Sequence, residues 1–202
     1  MDKLIEGYRR YRARRWPELK GLHQKLAEGQ RPHIMVIACC DSRVDPATIF
    51  DAYPGELFVI RNIANLAPPY ETGGGHHGVS AAIEFAVETL RVDIILVMGH
   101  AQCGGVQAAL ARDDAAPATT FLEDWVSLLA PAKARLAANP DDPQTALEHE
   151  SVRVSLENLM SFPFVAERVA AGTLALAGAH YGVADGQLEI LNPETGRFEA
   201  LE

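Results

Sequence analysis

Cysteine is scarce in this chain, with three residues among 202, and the odd count excludes a fully paired disulfide framework. Cys39 and Cys40 are neighbours, so a strain-free bridge between them is not expected. Thiols placed beside Asp, Arg and His point instead to metal binding or catalysis in a reducing compartment. Positive charge is also in deficit. Lys and Arg total 18 against 27 Asp and Glu, a net charge of −9, which argues against wholesale nucleic-acid binding. No apolar run approaches the roughly 20 residues of a membrane helix. The segment Met1-Asp2-Lys3-Leu4-Ile5-Glu6 turns polar too early for a signal peptide, and its acids argue against a transit peptide. A cytoplasmic protein with no membrane partner is therefore expected. Repeats, low-complexity tracts and linkers are absent, so residues 1–202 read as one domain with a helical arm over 1–28.

What is present is the balance of a globular protein, 48% apolar and 22% charged residues. Lys3 to Glu28 reads as helix broken near Trp16-Pro17. Leu4, Tyr8 and Tyr11 share one face of it, ringed by Arg9, Arg10, Arg12, Arg14 and Arg15. That stripe suits packing on the body or on another subunit better than a nucleic-acid arm. Short continuous apolar runs at Ile34–Ala38, Leu57–Ile60, Ile94–Met98 and Leu174–Gly178 predict strands buried on both faces. Leu188–Leu191 predicts an edge strand. Helical patterns lie between them at Gly78–Leu90, Gly104–Arg112, Phe121–Ala138, Gln144–Met160 and Pro163–Ala171. The alternation predicts an α/β fold with a mostly parallel central sheet flanked by helices, and sites at the carboxyl ends of its strands.

Chemistry-bearing residues follow two of the predicted strands. The first strand leads into Cys39-Cys40-Asp41-Ser42-Arg43, and the third into Gly99-His100-Ala101-Gln102-Cys103-Gly104-Gly105. If these strands are neighbours, one thiolate from the first segment meets His100 and Cys103. Two sulfurs and an imidazole form a zinc-type set, and three protein ligands leave the fourth position of a catalytic site open. A helix starting near Cys103 favours its thiolate. Chemistry alone leaves Cys39 and Cys40 as alternatives. Asp41 can bind the ion or accept a hydrogen bond from water on it. Arg43 offers a planar fork to hold Asp41 ionised and off the metal, beyond an ordinary loop salt bridge. Gly73-Gly74-Gly75-His76-His77-Gly78 lacks the ending of a phosphate loop and reads as a flexible loop, with His76 and His77 as candidate proton carriers.

The pair Cys39-x-Asp41-x-Arg43 and His100-x-x-Cys103 resembles the signature of the β-class carbonic anhydrases. The resemblance extends through Met35–Arg43, Pro54–Glu56, Phe58–Asn65, Ala81–Ala86, Met98–Gly105 and Gly178–Phe198. It implies that Cys39, rather than Cys40, joins His100 and Cys103 around one zinc ion per subunit. It implies reversible hydration of carbon dioxide to bicarbonate and a proton through a zinc-held hydroxide, with Asp41 and Arg43 as the catalytic pair. It further implies a substrate pocket of Gln30, Phe58, Ile63, Phe85 and the backbone N–H of Gly104. The family's assembly is a homodimer, or a dimer of dimers, with the N-terminal helical arm packed on a partner subunit. In that arrangement Gln30 and Phe85 act on the partner's zinc. Arg61 and Tyr181 match two positions of an inhibitory bicarbonate site of some members. The Trp position holds Val36, which predicts no strong bicarbonate-driven closure by Asp41. Two other readings compete: a carbonyl sulfide or carbon disulfide hydrolase on the same scaffold, and a non-enzymatic zinc-stabilised regulatory protein.

Overall fold

The computed structural model describes residues 1–73, 75–136 and 140–201. Two helices, α1 (Asp2–Arg14) and α2 (Trp16–Leu26), lead the chain and break where Pro17 enters the first turn of α2. The strands are β1 (Ile34–Cys39), β2 (Leu57–Asn62), β3 (Ile94–His100), β4 (Ala175–Tyr181), β5 (Leu188–Leu191) and β6 (Phe198–Ala200). They form one sheet in the order β2-β1-β3-β4-β5-β6. The first four strands of that order run parallel, and β5 and β6 return antiparallel. The helices are α3 (Pro46–Ile49), α4 (Gly78–Glu84), α5 (Gly104–Ala111), α6 (Phe121–Val126), α7 (Ala130–Ala134), α8 (Pro143–Leu159) and α9 (Pro163–Ala170).

The apolar runs of β1 and β3 become strands because the centre of the sheet is covered on both faces, whereas β2, expected to be buried on both, is the edge strand, with no fully buried residue and Val59 exposed. Met35, Ile37, Ile95 and Val97 face a core completed by Ile83, Val87, Phe162 and Val165. The alternate residues Val36, Ala38, Met98 and Ala179 face a second cluster. α8 lies close on β3 and β4 because glycines face it. A Cβ on Gly99 would come within 2.9 Å of Val152, and one on Gly178 within 2.7 Å.

Several expectations shift. β3 runs on through His100, so the imidazole leaves the end of a strand rather than a turn. The fourth strand starts at Ala175 and continues to Tyr181, because Ala179 and His180 are buried against neighbours distant in sequence. β5 is not an edge, since β6 pairs outside it. The Gly78–Leu90 helix widens into a π-helical turn over Phe85–Leu90, closed by Arg91 at φ 59°. The expected Phe121–Ala138 helix is divided by a 3-10 turn at Ser127–Leu129, and its Ala138 end lies outside the described residues, as does Gly74 of the glycine run. α1 buries no residue within the chain.

Candidate metal centre

β1 and β3 are adjacent and parallel, so Cys39 and His100, their last residues, emerge at the same edge of the sheet. Gln102 takes a left-handed φ of 57°, which turns the chain so that Cys103 stands immediately before α5. Cys39, His100 and Cys103 thereby converge, their donor atoms all within 4.8 Å of one another and all three residues buried. Cys40, by contrast, is exposed.

The donor set fits a tetrahedral zinc ion. The two sulfurs are 3.9 Å apart, far beyond a disulfide bond. Two sulfurs at about 2.3 Å from a tetrahedral zinc would stand about 3.8 Å apart. His100 Nδ1 donates to the Ala101 carbonyl at 2.9 Å, which leaves the lone pair on Nε2. That Nε2 is buried without a hydrogen-bond partner, a costly state for a polar atom unless a cation occupies the space in front of it. The hydrogen bond from the Cys103 thiol, outweighing burial, lowers the Cys39 pKa to about 4. The same bond and burial push Cys103 up. Without metal, the pair thus retains one proton between two sulfurs.

Asp41 stands beside this cluster but outside it. Arg43 Nε and its backbone N–H donate to Asp41 Oδ1 at 2.9 and 3.0 Å, and Nη2 donates to Oδ2 at 2.7 Å. These bonds hold the Asp41 carboxyl well below the usual carboxylate range. Arg43 Nη2 also donates to the Gln102 carbonyl at 3.0 Å, tying the two loops together. Asp41 Oδ2 approaches His100 Nε2 no closer than 4.0 Å. The fork is the one the sequence suggests, and it keeps both carboxylate oxygens occupied.

The other expected residues divide. Gly104 opens α5, where a backbone N–H lacks an intrahelical acceptor, and a Cβ on it would meet nothing within 4 Å. Ile63 packs beside Gly105, two residues beyond Cys103, and its carbonyl accepts from Trp125 Nε1 at 2.8 Å. It lines a depression of about 640 Å³ with Cys40, His76, His77 and Phe121. Phe58 pairs in register with Met35, four positions before Cys39, so it sits about 13 Å down the strands. Phe85 packs on Phe58 with ring centroids 5.8 Å apart. Gln30 precedes β1 and lines a depression with His33 and Asp93 at the amino ends of the strands. Within one chain, then, Gln30, Phe58 and Phe85 do not join the cluster.

Two supports escape the sequence reading. Arg61, expected only as part of a bicarbonate site, donates to the carbonyls of Cys39 at 2.8 Å, Asp41 at 2.6 Å and Val44 at 3.2 Å. Glu148, buried on α8, accepts the Cys103 backbone N–H at 2.9 Å and Gln144 Nε2 at 2.7 Å. Its only sequence signal is an acid on the helix that covers the sheet.

Comparison with known proteins gives a consistent picture. A family profile described as Carbonic anhydrase matches residues 34–188. Beta carbonic anhydrase 3 of Arabidopsis thaliana is 40% identical over 197 residues, covering 94% of this chain and 76% of that protein. The structure of the β-carbonic anhydrase CcaA superposes with a TM-score of 0.87 at 31% identity, covering 100% of this chain and 92% of that one. A structure from a study of two tetrameric β-carbonic anhydrases of Sordaria macrospora gives a TM-score of 0.82 at 26% identity, covering 95% and 96%.

Proposed function

This chain belongs to the β-carbonic anhydrase family, and from that premise we propose that it interconverts carbon dioxide and bicarbonate at a zinc ion held by Cys39, His100 and Cys103. The observation that carries the zinc reading is the buried, unpartnered Nε2 of His100 facing two sulfurs 3.9 Å apart. The ion supplies, when bound, the Lewis acidity that turns water into a nucleophile near neutral pH. Asp41, kept ionised and turned by Arg43, accepts a hydrogen bond from the reacting water and directs a lone pair toward the substrate carbon. Arg43 prevents Asp41 from closing on the metal. The Gly104 N–H donates to the oxygen on which charge develops. Ile63 supplies an apolar wall that excludes bulk water.

The remaining pocket residues, Gln30, Phe58 and Phe85, serve the zinc of a partner subunit in a homodimer or a dimer of dimers. The tetrameric Sordaria relatives support an assembly, as do exposed apolar side chains such as Phe121 and Phe85. Among the described residues, no helix is long and apolar enough to cross a membrane. Three free thiols suit a reducing compartment, and on that ground the location is cytoplasmic.

Stopped-flow carbon dioxide hydration, with zinc content measured on the same samples, tests this reading. Cys103→Ala is expected to lose the zinc of this centre together with the activity. Asp41→Asn keeps its metal but loses about 100-fold in rate. Zinc-replete protein that fails to hydrate carbon dioxide across a wide pH range would overturn the proposal.

A further inference from the structure

A second group of ligand-type side chains gathers on the far side of Glu148. His180 on β4 and Glu189 on β5 are direct cross-strand neighbours, and His149 on α8 leans onto them. His180 Nδ1 is 3.3 Å from Glu189 Oε2, and His149 Nε2 is 3.4 Å from the same oxygen. The two imidazoles meet edge to face at 4.6 Å, and Phe198 covers His149 with its ring at 4.1 Å. The three donor atoms all lie within 4.8 Å of one another.

Three features suit a cation. His180 Nε2 stands 3.1 Å from Glu148 Oε2, and a neutral ring with its proton on that side presents the Nδ1 lone pair toward Glu189. A carboxylate behind a ligating imidazole is the usual support of a metal-bound histidine. His149 Nε2 is buried yet has no hydrogen bond that satisfies it. The spacing also fits, since ligands about 2.05 Å from a tetrahedral ion stand about 3.3 Å apart. The nearby cation, Arg153, is engaged by Glu150 at 2.7 Å and by the Gly196 carbonyl at 2.7 Å.

We propose that His149, His180 and Glu189 form a second site for a divalent transition-metal ion of the zinc class, separate from the Cys39–His100–Cys103 centre. Two imidazoles and a carboxylate favour zinc, nickel or copper over magnesium or calcium. A metal there ties α8 to β4 and β5. Because Glu148 touches both His180 and the Cys103 N–H, it also stiffens the support of the first centre.

Equilibrium dialysis of the full chain against micromolar zinc, followed by elemental analysis, counts the ions. The wild type should hold two per chain. His149→Ala and Glu189→Gln should hold one, with the second ion weakened by about 100-fold or more in the histidine variant. Cobalt distinguishes the centres: a thiolate-to-cobalt absorption band marks the cysteine site and is absent at the histidine site. Cys103→Ala should therefore keep one cobalt ion without that band. If the cysteine centre failed to bind, the band would be missing in the wild type while His149→Ala still lost an ion. Both variants alter partly exposed residues, and native circular dichroism confirms their folding. Equal metal counts in the wild type and both folded variants, or a hydrogen-bonded cluster that takes no metal, would overturn the proposal.

Discussion

At the residue scale, the loop that carries Cys39 is braced by one guanidinium. Arg61 reaches from β2 to three carbonyls of the Cys39–Val44 segment, and no other residue type offers so many donors in one planar group. Arg61→Gln should leave the ligands in place but weaken zinc binding about 10- to 100-fold, as loss of an outer support does. Competition with a chelator measures it, and wild-type affinity in the variant would show that the brace is dispensable. The sulfurs carry a second expectation. Cys39 is shifted down by the Cys103 thiol, and Cys103 is shifted up by the Cys39 sulfur and by burial. The metal-free pair therefore holds one proton at neutral pH, and zinc must expel it. Proton and metal compete for the same thiolates, so zinc affinity rises with pH, by about ten-fold per unit where one proton is released. Calorimetry in buffers of different ionisation enthalpy should count about one proton per zinc from the sulfurs, and a value near zero would contradict the shared-proton state.

At the scale of elements, the contact between α8 and the sheet depends on two positions without a side chain. A Cβ at Gly178 would meet Val152 Cγ1 at 2.7 Å and Leu156 Cδ1 at 3.2 Å. Gly178→Ala is expected to destabilise by about 1–3 kcal/mol through overpacking. Val152→Ala in the same chain should recover part of that loss, and denaturant unfolding of the four proteins of the cycle reads the coupling. The central strands were legible because burial on both faces leaves runs such as Ile34–Ala38 and Ile94–Met98 almost wholly apolar. The apolar pattern ends β4 three residues short, at Gly178, because His180 interrupts it, and the burial of His180 depends on Glu148 and Glu189, which the sequence does not announce. β6, only Phe198–Ala200, exists through pairing with β5 and carries no local signal of its own. The candidate ligands Cys39, His100 and Cys103 were legible for the opposite reason. They close or follow strongly patterned strands, so strand adjacency alone brings them together. Arg61 and Glu148 act on backbone groups far away in sequence, and only the assembled sheet reveals what they hold.

At the scale of the whole molecule, the chain leaves apolar surface that it does not cover itself. Leu4 is 73% exposed, Tyr8 61% and Phe121 fully exposed. Isolated apolar residues on a surface are ordinary, but Leu4 and Tyr8 stand one helical turn apart on α1, a helix with no residue buried within its own chain. Removing residues 2–14 should therefore leave the fold intact, with native circular dichroism. Its cost should fall on assembly. Burying one large apolar side chain contributes about 1.5–3 kcal/mol, so loss of two weakens association by at least about 100-fold. Sedimentation velocity should show the truncated chain dissociating at concentrations where the full chain stays associated. If Gln30 and Phe85 act across the interface, specific activity of the truncated protein will fall on dilution and recover on concentration. An unchanged sedimentation profile would mean that the arm holds no partner, and activity independent of concentration in a dissociating variant would return the whole pocket to a single chain.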